Sequence, residues 1–360
     1  MKVGARAVAV LLALGALAGS GVAHAATIVV NDKDGAGEGF NDPSPFTPVG
    51  GNAGATRGEA RLLAFQYAAS LWAARLASPV TIQIDASMDP QTCSATLSQL
   101  GQAGPTSAHR NFPSAPLANT WYPQALANAL SGVDLKPDAA DARAAFNSTI
   151  DNGTCSGIAR WYYGLDGHPP AGTLDFVSTV FHEIGHSLGF QIFVDLTTGA
   201  KLADEDDVFE RRLEQHGAVP PDYPSMTNSQ RVAASVSGAS LQWTGPATTA
   251  AGLALLSAGI ADGHVRMYAP NPQQPGSSVA HFATQASPNQ LLEPFDTGPI
   301  HDPGLALQVL QDIGWPLQAA TSVTALSAPM TLTLAIALLT LAAPVVRVSR
   351  RRVAAPRPRP

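Results

Sequence analysis

The sequence predicts an α+β protein, and three observations carry the prediction. Gly58 to Leu76 places Leu62, Phe65, Ala69, Trp72 and Leu76 at helical spacing, and Val80-Thr-Ile-Gln-Ile-Asp85 then alternates with β-branched residues as a strand does. Phe176, Val180, Ile184 and Leu188 recur every four residues and mark a second amphipathic helix over about 174–188. The first helix leading into a strand is an α/β opening, whereas after Pro224 the remainder reads as short segments with loops ending in one helix.

The elements follow in chain order. Residues 31–58 are rich in Gly, Asn, Asp and Pro; Asp32 to Glu38 faintly resembles a calcium loop but lacks its terminal Glu, and is taken as a turn-rich opening segment. After the first helix and strand, residues 101–120 are expected to be loop, broken by Gly104-Pro105 and Phe112-Pro113, and Trp121 to Ala129 a short helix. Ala144–Ile150 and Gly157–Tyr163 are strand candidates flanking Cys155. Thr173 or Asp175 caps the 174–188 helix, and Gly189 ends it in a left-handed conformation. Asp204-Glu-Asp-Asp207 is expected to open a helix reaching about His216, its acids favourable against the helix dipole. Pro220 to Pro224 is a linker, and a last helix spans about Pro303 to Ile313.

The ends have different characters. Lys2 and Arg6, an apolar run from Ala7 to about Ala18, and Ala23-His24-Ala25 form a secretory signal over residues 1–25. Residues 323–346 are uncharged, most apolar from Met330 to Val346, and precede the basic tail 347–360; the pattern fits a transmembrane or cleaved sorting segment, with the body outside the cell and the arginines within. Without the signal and the tail, 13 basic residues remain against 27 acidic ones, a body at −14. That balance argues against a nucleic-acid partner. Cys93 and Cys155 are the only cysteines, and an even count in an exported chain suggests one disulfide; two buried thiols are the alternative.

The chemistry concentrates in His182-Glu-Ile-Gly-His186. Histidines four apart share one helical face and reach one metal, while Glu183 is placed to take a proton from water. The plainer alternative is a helix with two surface histidines, but the apolar stripe behind them and the glycine stop after them suit a metal helix. A catalytic zinc needs a third protein ligand. HExxHxxGxxH would supply it at position 192, which is Ile192 here.

HExxHxxG over 174–190, together with Ser277-Ser-Val-Ala-His281-Phe282 and Leu291-Leu292-Glu293-Pro294 downstream, resembles the leishmanolysin-like branch of the metzincin zinc peptidases. The resemblance implies His281 as third ligand, Gly189 as the turn beneath the metal, and Leu292 where the family carries the methionine of its Met-turn. It implies two subdomains: residues 26–190, a mixed sheet with helices ending in the zinc helix, and residues 191–318, smaller, irregular and mainly helical, carrying the third ligand. Glu205, placed as in gluzincins such as thermolysin, is the rival ligand; His264 and His301 are further candidates. The expected function is that of an exported, monomeric, Zn2+-dependent endopeptidase with Glu183 as base, a protein or peptide as substrate, and a membrane contact through 323–346. A catalytically silent, zinc-stapled surface-binding module and a zinc hydrolase of a non-peptide amide are the alternatives.

Overall fold

Alternation along the second strand organises the first half of the protein. The computed structural model describes residues 24–94, 98–153, 155 and 160–318; the signal before His24, the segment 323–346 and the tail 347–360 lie outside the described residues. The first elements are β1 (Ile28–Asp32), α1 (Arg57–Ala73), β2 (Ile82–Asp89), β3 (Gly101–Pro105), β4 (Ala108–His109), β5 (Thr120–Pro123), α2 (Gln124–Ser131) and β6 (Ala142–Asn147). One sheet has the order β1-β2-β6-β3, in which β1, β2 and β6 are parallel and β3 runs antiparallel along β6. Ile82, Ile84, Ala86 and Met88 point into the core, while Gln83, Asp85 and Ser87 face the other side. A concavity of about 750 Å³ lies on that outer face, lined by Lys33, Asp85, Gln102 and Arg143, away from the histidines of the HExxH stretch.

Helix α1 starts in a capping box: Thr56 accepts from the Glu59 amide, and Glu59 reaches back to the Thr56 amide. It ends at Ala73, short of the expected Leu76, yet Leu76 is fully buried. Strand β2 begins at Ile82 because the Ser78 hydroxyl bonds both the amide and the carbonyl of Val80 in a turn. Two expectations need correction. The supposed loop 101–120 contains β3 and β4, and Trp121 lies in β5, not in a helix. Pro123 lacks an amide and suits a helix start, so α2 begins only at Gln124 and closes at Gly132.

β6 stops where the Asn147 side chain accepts the Thr149 amide and turns the chain into a 3-10 turn. β7 (Arg160–Tyr162) then pairs in parallel with β8 (Thr173–Asp175), which leads directly into α3 (Phe176–Ser187). Asp175 caps α3 by accepting the Ser178 amide at 2.8 Å. α1 and α3 pack together; the Trp72 indole donates to the Phe181 carbonyl at 2.8 Å, with the two rings 4.9 Å apart.

The later part holds β9 (Asp206–Asp207), β10 (Leu213–Gln215), α4 (Asn228–Ala234), β11 (Leu241–Trp243), α5 (Pro246–Leu255), β12 (Ile260–Ala261), β13 (His264–Arg266) and α6 (Leu305–Asp312). This part, expected to be irregular and mainly helical, holds three helices, long loops and a small antiparallel sheet, β10-β11-β13-β12. The class is thus mixed α+β with open sheets. No helix runs from 204 to 216. Asp207 instead accepts the amides of Phe193 (2.7 Å), Phe209 (2.8 Å) and Glu210 (2.7 Å), which closes a turn and pins the chain that follows α3. Among the described residues no helix is long and apolar enough to cross a membrane.

Glu210, fully buried beside Asp207, has its carboxyl pushed above the usual range, first by burial and then by the Asp207 charge, against the opposing pull of the Lys201 ammonium 3.6 Å away. The unfolded glutamate ionises near 4.5, so the stability contributed by the buried neutral form is complete below that pH and is lost progressively as pH rises above it. Glu210→Gln, neutral at every pH, is expected to flatten this decline. Urea midpoints measured on both sides of neutrality check it, and a decline unchanged in the variant contradicts it.

The Cys93–Cys155 disulfide forms as expected, across 62 positions. In the chain-entropy model a loop of that length contributes about 4 kcal/mol. Replacing both cysteines by Ser is expected to lower unfolding stability by roughly that amount. Denaturant titration checks this, and equal stability with and without the bridge contradicts it.

Candidate metal centre

One face of α3 makes the core and the other makes the site. Phe176, Val177, Val180, Phe181, Ile184 and Leu188 are fully buried, and His182, Glu183 and His186 project away from that stripe. The helix stops because Gly189 takes φ +115°, and a Cβ there would stand 2.7 Å from Pro123 Cγ. That turn bonds the Phe190 amide to the Gly185 carbonyl and brings the Phe190 carbonyl 2.7 Å from His186 Nδ1. The glycine stop therefore orients a histidine as well as ending a helix.

Two distant segments complete the arrangement. The chain at 277–281 bonds the Tyr268 amide to the His281 carbonyl, and brings His281 against α3 with its Nδ1 2.8 Å from the Ser277 carbonyl. The 290–293 turn sets the Leu291 carbonyl 2.7 Å from His182 Nδ1. Leu292 packs beneath Gly185, where a Cβ would lie 3.0 Å from Leu292 Cδ2. The position expected to replace a methionine is thus an apolar support below the helix turn between the two histidines.

The three Nε2 atoms form a nearly equilateral triangle: 3.1 Å between His182 and His186, and 3.2 Å from each to His281. A carbonyl can only accept, so each Nδ1 donates its hydrogen, and each neutral ring turns a bare Nε2 lone pair inward. Burial holds the rings neutral: the pKa of His182 falls to about 3 and that of His186 to about 4, with His281 well below its ordinary value. His186 and His182 repel charge on their neighbours in addition. Three lone pairs facing one another without a hydrogen between them call for a cation. Nitrogens about 2.05 Å from one tetrahedral ion stand roughly 3.3 Å apart, close to the spacing found. The three histidines could therefore hold a metal ion, and an all-imidazole set suits zinc, copper, iron or nickel.

Glu183, one position after His182 on α3, is buried, and burial pushes its carboxyl up to about 8, against the opposing pull of a hydrogen bond from the Ala103 backbone. The remaining candidates are engaged elsewhere. Glu205 pairs with Arg110 at 2.7 Å, His264 Nδ1 meets Thr249 Oγ1 at 3.3 Å, and His301 Nε2 meets the Asp175 carboxylate at 2.8 Å. Asp34 likewise closes a turn, accepting the amides of Phe40 and Met88. Strand β3, which brings Gly101 and Ala103 to Glu183, carries no β-branched residue and no sequence signal of its role. No protein-family model, curated protein or solved structure matches the chain.

Proposed function

We propose that the protein is an exported zinc-dependent endopeptidase of metzincin type, nearest the leishmanolysin-like branch. The observation that carries this is the triangle of inward Nε2 atoms with Glu183 one position along the same helix. HExxHxxG, the distant His281 and the turn at Leu291-Leu292 support the family, with residues 26–190 and 191–318 as its two subdomains. Tetrahedral geometry with three histidines favours zinc among the metals that imidazole suits.

Bound there, zinc supplies a Lewis acid that acidifies water and polarises a carbonyl. His182, His186 and His281 hold it, each fixed by a backbone carbonyl at Nδ1. Glu183 would take a proton from the attacking water and pass it to the leaving amine. A peptide substrate is what the resemblance carried by HExxHxxG and the distant His281 implies. The test is cleavage of a peptide library by the zinc-loaded protein with and without a chelator. Cut peptides that vanish with chelation support the proposal, and intact peptides at full zinc loading overturn it.

The disulfide agrees with an extracellular location. We propose further that 323–346 holds the body at a membrane, active site outward. Cell fractionation of the full chain against one ending at residue 318 is expected to move the protein from membrane to soluble fraction; identical partitioning, with 347–360 still attached, contradicts anchoring.

A further inference from the structure

We infer that Gly101 and the backbone amide of Ala103, both on edge strand β3, form the seat that positions Glu183, an inference that rests on Glu183 acting as the base proposed above. Gly101 is the point of closest approach. A Cβ built there would stand 3.1 Å from Glu183 Cγ, 3.1 Å from Phe146 Cδ1 and 3.3 Å from the Ala145 carbonyl oxygen. The aliphatic stem of Glu183 therefore rests against the strand at a point where an added side chain would force it to give by a few tenths of an ångström. Two residues along, the Ala103 backbone supplies the hydrogen bond to the Glu183 carboxyl.

Stem and head are thus held by the same five-residue strand, β3, which is fixed along its far side by antiparallel pairing with β6 from Gly101–Phe146 to Pro105–Ala142. The metal histidines take their orientation from other carbonyls, those of Phe190, Ser277 and Leu291. The seat acts on the base and leaves the ligands alone. Gly101 and Ala103 are positioning residues, and their loss has to appear in turnover and not in metal binding.

The experiment compares zinc-loaded wild type and Gly101→Ala in the full chain on a quenched fluorescent peptide. Displacing a proton-transfer group by a few tenths of an ångström is expected to lower kcat about 3- to 10-fold. KM should stay within about twofold and zinc stoichiometry should be unchanged, as expected for loss of an interaction made in the transition state. In a Glu183→Gln background the same substitution should add nothing, because there is no base left to misplace. An unchanged kcat, or an equal further loss in the Glu183→Gln background, overturns the seat. If Gly101→Ala lowers the melting temperature too far, Ala103→Pro removes the amide on an edge strand, where proline is tolerated, and is expected to show the same fall in kcat; no fall overturns the inference. A wild type inactive at full zinc loading removes the peptidase proposal and the seat together, a result distinct from an active wild type indifferent to Gly101.

Discussion

His281→Ala is expected to lower zinc affinity by more than about 100-fold, since it removes a ligand outright while loss of a supporting group alone costs 10- to 100-fold. The physical reason lies in the triangle. His281 stands 3.2 Å from both His182 and His186, and removing it leaves two donors on one helix turn with no third side to the site. Zinc should then cease to raise the melting temperature, because the folded state loses its preferential binding. Glu205→Ala should leave zinc binding nearly intact, since that carboxylate pairs with Arg110 at 2.7 Å and is absent from the histidine cluster. Competition with a chromogenic chelator measures both. Weak binding in Glu205→Ala with tight binding in His281→Ala would replace this ligand set by the gluzincin one.

Glu183→Gln is expected to lower kcat on peptides by about 100- to 10,000-fold, the usual range for losing a general base. Gln keeps the volume of Glu and can still take a hydrogen bond from the Ala103 backbone, so the helix and its histidines should be undisturbed. A neutral amide also fits a site whose burial already opposes a charged carboxylate. The expected pattern is full zinc occupancy, unchanged or higher melting temperature, and loss of turnover. Turnover kept in this variant would assign the proton transfer to another group; lost zinc would mean that Glu183 belongs to the ligand set.

Much of the site could be read from residue order because it is local: the helix Phe176–Ser187, expected over about 174–188, its Asp175 cap and the Gly189 stop follow from spacing and backbone preference. His281 emerged only by resemblance, since a ligand 95 positions beyond His186 is brought in by long-range packing that no local pattern encodes. The carbonyls of Phe190, Ser277 and Leu291 that orient the three rings were illegible, because any residue carries a carbonyl. Strand β3 was hidden for a related reason. Gly-Gln-Ala-Gly-Pro reads as loop, and only the β6 edge makes it a strand. The acidic run at 204–207 misled in the opposite direction: a side chain suited to capping a helix satisfied two amides of a turn and the amide of Phe193 instead.

The claim that one metal on three histidines carries peptide hydrolysis is tested most directly by titrating zinc into the metal-free protein while following cleavage of a fluorescent peptide. The account predicts no turnover without metal and a rise that saturates at about one equivalent per chain, the number that a single three-histidine site holds. Turnover in the metal-free protein, or none at several equivalents of bound zinc, would contradict it.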